Sequence, residues 1–198
     1  MIDIEKYTTK AGAYLFYNGY FLFMFGWGDN SKGNKLGVVR FGGHREKNET
    51  VVQCVTREIK EETSLDIEFY KNNCVYVEKS DVNDYDRIKG NQENSPILLR
   101  IGSDKKYSIM YLAYGKGELK PNMETQGILL LRKEDIVNIC SHDITFGEYK
   151  ELGGKYILAK PLPDNGILTP NIQLDFLNKL FLLEPELISN YTKTYFQQ

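Results

Sequence analysis

The strongest pattern in the chain is an apolar, aromatic run from Tyr14 to Trp27, YLFYNGYFLFMFGW, interrupted by Asn18-Gly19. Asn-Gly is the favoured pair for a two-residue type I′ turn, where both residues take positive φ, so the run reads as a hairpin of two strands. It is too short to cross a bilayer as a helix. In its second arm Phe21, Phe23 and Phe25 alternate and therefore share one face, the core face, while Tyr17 and Tyr20 offer rings on which a base could stack. The polar stretch GDNSKGNK, Gly28 to Lys35, follows as a loop. No Gly-Lys-Ser/Thr closes it and no helical pattern starts behind it, which argues against a phosphate loop.

KLGVVRF is then a strand that Gly42-Gly43 ends. From Asn48 or Glu49 to Thr63 the period becomes helical, with Val52, Val55 and Ile59 on a narrow stripe behind a polar, acidic start. LDIEFY reads as a strand, and the polar region from Glu78 to Asp104 as an irregular insertion. KYSIMYLAYG and GILLLR are further strands, and KEDIVNIC a short helix. Near the end Thr169 as N-cap and Pro170 as first helical residue start a helix carrying Ile172, Phe176, Leu177, Leu180 and Phe181. That helix is apolar enough to dock on the body or to form a homodimer interface.

Length and charge narrow the picture. A chain of 198 residues favours one domain with an appendage. A net charge of −2 and a pI near 5.8 do not attract a polyanion, so DNA or RNA is not expected as a stable partner and any anionic substrate must be recruited locally. Cys54, Cys74 and Cys140 lack metal-site spacing, and their odd number suits a reducing cytoplasm. The charged N-terminus lacks the order of a signal peptide, and no membrane partner is expected.

The unusual local feature is REIKEET, Arg57 to Thr63. At roughly 100° per residue, Glu58, Glu61 and Glu62 fall within about 100° of arc on one helix face. Like charges at i,i+4 cost a helix about 0.2–0.5 kcal/mol, and acids near a C-terminus oppose the helix dipole. The arc borders the apolar stripe, so these carboxylates point into a groove at the edge of the core, where hard oxygen donors suit Mg²⁺ or Mn²⁺. From the helix alone a solvated end with a routine Arg57–Glu61 pair remains the alternative.

The wider spacing bears on that choice. Gly43, five residues, Glu49, seven residues, then Arg57-Glu58-Ile59-Lys60-Glu61-Glu62-Thr63-Ser64-Leu65 resembles the Nudix box at every specified position except the last glycine, here Ser64. The order of elements from about Ala13 to Ile139 resembles the same family, and the segment from Cys140 onward matches nothing recognisable. The resemblance implies a Nudix-type α/β/α sandwich of mixed and antiparallel sheets in a single domain, with a core over about 13–139 and a C-terminal helical extension over 140–198.

It also implies roles. Glu58, Glu61 and Glu62 fall on the family's metal-binding acids, Glu49 and Arg57 on the pair that braces loop against helix, and Gly42 and Gly43 on the backbone that approaches metal and phosphates. His44 and Arg45, with Arg40 and Lys35 upstream, are candidate phosphate contacts. The general base falls either on Glu61 or on Glu124 in KPNMETQGILLL. The implied reaction is Mg²⁺- or Mn²⁺-dependent cleavage of a nucleoside diphosphate linked to another moiety, with a small-molecule nucleotide derivative as partner. A diphosphate repels hydroxide, and divalent ions neutralise it and lower the pKa of an attacking water.

Ser64 must either adopt αL or change the turn. Phe41 replaces a proline common in relatives, and the markers of the ADP-ribose and NADH subgroups are missing. The alternative is a non-catalytic Nudix-fold sensor that binds a nucleotide, but such modules often lose box acids and here all are present. Cys54 is expected as a packed residue without an assignable base, and His142 as structural or solvent-exposed.

Overall fold

The computed structural model describes residues 3–27, 34–79, 84–90, 95–122 and 125–194. After a short helix α1 (Ile4–Tyr7), the apolar run forms β1 (Thr8–Tyr17) and β2 (Tyr20–Trp27). Asn18 and Gly19 take φ of 48° and 87° between the paired Tyr17 and Tyr20, the backbone that a type I′ turn requires.

Strand β1 is the spine of a mixed sheet. Along one edge it pairs antiparallel with β2 through Leu15–Tyr17 and with β4 (Phe41–His44) through Lys10–Ala13. Along the other it runs parallel to β9 (Tyr107–Lys116), which in turn pairs with β5 (Asp66–Phe69) and β8 (Leu98–Ile101). The stretch KLGVVRF, expected as one strand, is therefore two: β3 (Lys35–Val39) belongs to β2, the chain breaks at Arg40, and β4 belongs to β1. Gly42 and Gly43 lie inside β4 instead of ending a strand.

The sheet is buried on both faces, which is why its central strands read as continuous apolar runs. On one face Tyr14, Phe16, Phe21, Phe23, Phe25, Leu112 and Leu129 share a core, so the alternating phenylalanines do face inward together. On the other, Ala13, Leu15, Leu22, Ile109 and Tyr111 meet helix α2 (Val51–Thr63). Val51, Cys54, Val55 and Ile59 form its buried stripe, while Val52 is only half-buried. The first core is closed by α3 (Lys133–Ser141) and by two C-terminal helices, α5 (Ile172–Leu183) and α6 (Pro185–Thr194). No helix among the described residues is long and apolar enough to cross a membrane.

The region from Glu78 to Asp104 is not simply irregular: β6 (Cys74–Lys79) runs parallel to β8, and β7 (Tyr85–Lys89) pairs antiparallel with β6. Strand β7 hid in the sequence because it is a largely exposed edge whose stability comes from its ladder, not from apolar alternation. The terminal helix starts two residues later than the Thr-Pro signal suggests. Ile167–Pro170 is strand β13, parallel to β3, and Asn171 is the cap, its side chain accepting from the Leu174 amide at 3.0 Å. Between them, β10 (Gly127–Leu131) pairs with β2 and with β12 (Lys155–Leu158), while β11 (Ile144–Thr145) and α4 (Phe146–Glu151) connect α3 to that edge.

Helix α6 is locked to the spine by one side chain. The fully buried Tyr191 hydroxyl stands within hydrogen-bond distance of two carbonyls, Ala113 (2.6 Å) and Tyr14 (2.8 Å), donating its one proton to either, and accepts from the Ala113 amide (3.1 Å). Tyr114 in return donates to the Tyr191 carbonyl at 2.8 Å. Replacing Tyr191 by Phe keeps the ring and strands these strand groups without their partner. The expected loss is about 1–3 kcal/mol in denaturant unfolding at unchanged helix content, and an unchanged midpoint would show the hydroxyl to be dispensable.

Candidate active site

The loop between β4 and α2 determines what the acidic helix can reach. Asn48 takes φ of 69°, which a helix start does not tolerate, and Thr50 caps α2 instead. Its hydroxyl accepts from the Gln53 amide (3.1 Å) while the Gln53 side chain accepts from the Thr50 amide (2.8 Å), a capping box. The helix therefore begins at Val51, later than the sequence pattern suggests, and Glu49 stays outside it, facing back toward Arg57.

Arg57 is the hub. Its Nε and Nη2 donate to the two carboxylate oxygens of Glu49 at 2.8 and 3.1 Å, a bidentate pair. Nη2 also donates to the His44 carbonyl (3.2 Å), and Nη1 to Glu58 (3.0 Å) and Glu61 (3.0 Å). The hydrogen bonds to Glu49 hold Arg57 charged well above its ordinary range, and the same contact holds Glu49 below the usual carboxylate range. The routine Arg57–Glu61 pair and the brace to Glu49 coexist on one guanidinium. A separate clasp fixes the loop from outside: Arg45 ion-pairs with Glu5 at 3.0 Å, and the Glu5 carboxylate accepts from the Val51 amide at 3.2 Å.

Glu58 and Glu62 press against the two glycines of β4. A Cβ on Gly43 would stand inside van der Waals contact with the Glu58 carboxylate, and one on Gly42 would meet the Ala11 carbonyl oxygen. Gly42 also takes φ of 118°, and its amide donates to Glu62 Oε2 at 2.8 Å. Burial pushes Glu62 up to about 7; the Gly42 amide and Arg40 oppose that rise, and the charges of Glu58 and Glu61 add to it. Glu61 is the outermost of the three, with its side chain 56% exposed. Helix α2 ends at Ser64 with φ of 63°, so serine does adopt the left-handed cap, its amide bonding the Lys60 carbonyl at 2.9 Å.

Three hard-oxygen donors beside a glycine backbone that leaves Glu58 its space match the donor chemistry of Mg²⁺ or Mn²⁺. Among the described residues, however, no group of three His, Cys, Asp or Glu side chains converges closely enough to hold a metal ion. The reason is visible: Arg57 engages Glu58 and Glu61, and the Gly42 amide engages Glu62.

The other candidates divide. Arg45 is committed to its clasp with Glu5. His44 is exposed, and its side chain lines a cavity on the face of β4 away from α2. Arg40 lies half-buried in a slot that two glycines leave open: a Cβ on Gly12 would be 2.6 Å from its Cδ, and one on Gly42 2.7 Å from its Nη1. Burial lowers its pKa, and Glu62 and Glu58 are near enough to oppose that. Nothing next to Arg40 in the sequence marks this slot, because it depends on Gly12, far away in the chain.

Glu124 lies outside the described residues. On either side of it, the amides of Lys120 and Asn122 donate to the carbonyls of Thr63 (2.9 Å) and Glu62 (3.2 Å), and the Thr125 hydroxyl to that of Glu62 (3.5 Å). These tethers to the end of α2 carried no signal in the sequence. Cys54 is buried with its thiol pushed up to about 11 by desolvation, the packed residue expected. Lys35 is exposed at the start of β3, and His142 is an exposed C-cap of α3. Tyr17, which donates to the Gly117 carbonyl, and Tyr20, whose ring lies under Lys155, sit at the hairpin turn, at the opposite end of β1 from the β4 pairing.

Among solved structures, the structural neighbours of this chain are Nudix hydrolases. A NUDIX-family hydrolase from Clostridium perfringens is 19% identical over 66% of this chain and 85% of its own, with a TM-score of 0.47. A MutT protein from Methanosarcina mazei is 18% identical over 69% and 84% (TM-score 0.41), and an ADP-ribose pyrophosphatase from Streptococcus suis 20% identical over 65% and 77% (TM-score 0.38). No protein-family model and no curated protein sequence matches the chain. Likeness at these scores says nothing of site or substrate, which rest on this chain's own residues.

The cap at Ser64 yields a direct test. A left-handed non-glycine residue costs about 1–2 kcal/mol, partly offset by the greater unfolded-state freedom of glycine. Ser64→Gly is expected to raise stability by about 0.5–1 kcal/mol in chemical denaturation, and a lowered midpoint would mean that Ser64 carries a contact glycine loses.

Proposed function

We propose that the chain is a Mg²⁺- or Mn²⁺-dependent Nudix pyrophosphohydrolase that cleaves a nucleoside diphosphate linked to another moiety. The observation that carries this reading is the packing of Glu58 and Glu62 against Gly43 and Gly42, where backbone and carboxylates share space that a Cβ would take. Water adds across the P–O–P linkage, yielding a nucleoside monophosphate and the phosphorylated remainder.

Glu58, Glu61 and Glu62 would hold the cation by turning toward it from their contacts with Arg57 and the Gly42 amide, and the bound ion would neutralise the diphosphate and acidify the attacking water. The chain's own groups do the positioning. Arg57, anchored on Glu49 and the His44 carbonyl, orients Glu58 and Glu61, and the Gly42 amide orients Glu62. Glu61 has the exposure that a proton acceptor facing solvent needs, and Glu124 is the second candidate for that role. The free cysteines Cys54, Cys74 and Cys140 suit a reducing compartment such as the cytoplasm.

Purified protein offered a panel of nucleoside diphosphate derivatives with Mg²⁺ or Mn²⁺ should turn over at least one of them, and a chelator should abolish the activity. Glu62→Gln is expected to reduce kcat/KM by about 10²-fold or more, with Glu61→Gln lowering kcat if Glu61 takes the proton. A compound that raises the melting temperature without metal and is never hydrolysed would instead identify a nucleotide-binding sensor.

A further inference from the structure

On the sheet face that carries the C-terminal helices, an apolar groove of about 430 Å³ opens at the hairpin end of the molecule. Phe16 and Phe21 of the hairpin, Phe181 of α5, and Pro185 and Ile188 of α6 line it. Polar groups rim it: Arg132, Lys133 and Glu134 where α3 begins, and Ser189 and Thr192 of α6. Gly19 of the Asn-Gly turn also borders the groove, which therefore lies at the opposite end of β1 from β4 and the acidic cluster.

The same corner of the molecule carries two leucines turned outward. Helix α5 packs on the sheet through a buried stripe that ends at Phe181, yet its last two residues, Leu182 and Leu183, stay 84% and 50% exposed. A single exposed leucine is ordinary. Two in succession, directly after a residue that lines an apolar groove, extend the groove onto the outer surface, and an apolar patch with a polar rim is the composition of a protein–protein contact. Deleting one buried leucine side chain leaves a cavity on the order of 150 Å³, so the groove has room for both.

The free charges beside groove and leucines are opposite in sign. Arg132 is committed to Asp135 by two hydrogen bonds of 2.9 Å, and Glu134 adds to the pull on it. Lys133, its Nζ 5.4 Å from the centre of the Phe181 ring, has no ion pair among the described residues. Just past the leucines, Glu184 is held by Tyr76 and Arg87, whereas Glu186 is exposed and likewise has no ion pair among the described residues. An unpaired cation thus borders the groove, and an unpaired anion follows the leucines.

A surface that carries both a knob and a matching hole can close on itself about a two-fold axis, because each contact is then made twice. We propose that this surface binds a second copy of the chain: Leu182 and Leu183 of each copy enter the groove of the other, and Glu186 of each pairs with Lys133 of the other. The pairing leaves the acidic cluster of both copies open, and it stands apart from the hydrolase reading because none of its residues belongs to that cluster.

Sedimentation velocity of the full chain across a wide concentration range should show a reversible equilibrium between monomer and dimer. Leu182→Glu places a charge at the centre of the contact and is expected to weaken the dimer by about 30-fold or more. Because that position is solvent-exposed in the monomer, its circular dichroism should match that of the unaltered chain. Lys133→Glu and Glu186→Lys should each weaken the dimer by about tenfold, since each sets two like-charged pairs across the axis, and the double variant K133E/E186K should recover most of the loss. A chain that sediments as a monomer at every concentration, or a dimer that Leu182→Glu leaves intact, would overturn the proposal. A double variant as weak as the single ones would overturn the pairing of Lys133 with Glu186.

Discussion

At Gly42 and Gly43 the chain has no room for a Cβ, and the candidate site depends on that vacancy. One glycine lets β4 approach β1 and turn its amide to Glu62; the other leaves space for the Glu58 carboxylate. Three acids that would repel one another at the end of an isolated helix are thereby given separate neighbours. Arg57 takes two, a backbone amide takes the third, and the upward shift of Glu62 comes from its burial, to which residual repulsion by Glu58 and Glu61 only adds. The charges are compatible with a folded helix because β4 meets them there.

What was legible in the sequence was local. The Asn18-Gly19 turn is encoded in two residues, and the glycine, glutamate and arginine spacing is encoded in one loop and one helix. Partner-dependent features were not. The break at Arg40 follows from β3 and β4 pairing with different strands, and β7 is a strand because β6 offers it a ladder. The helix start moved because Asn48 has positive φ and Thr50 completes a capping box, while Thr169-Pro170 was drawn into a strand by β3. The Arg40 slot joins residues distant in sequence, Gly12 on β1 and Gly42 on β4, and a one-residue change of register would dissolve it.

The C-terminal segment, unrelated to the recognised motif, bears on the same framework. Tyr191 grips Tyr14 and Ala113, neighbouring positions on β1 and β9, from the sheet face opposite α2. Strand β1 holds β4 through Lys10–Ala13 and contributes Gly12 to the Arg40 slot. The terminal helix thus secures the strand pair from which both features are built, although it contributes no side chain to the acidic cluster.

The clasp of Arg45 and Glu5 adds a further consequence. With Arg57 on Glu49 and the His44 carbonyl, and with Glu5 on the Val51 amide, the loop between β4 and α2 is fastened at both ends and in the middle. Such a loop is preorganised: the conformational freedom that any ligand would otherwise have to suppress on arrival has already been given up on folding. Part of that rigidity originates in α1, a single turn far from the motif in sequence.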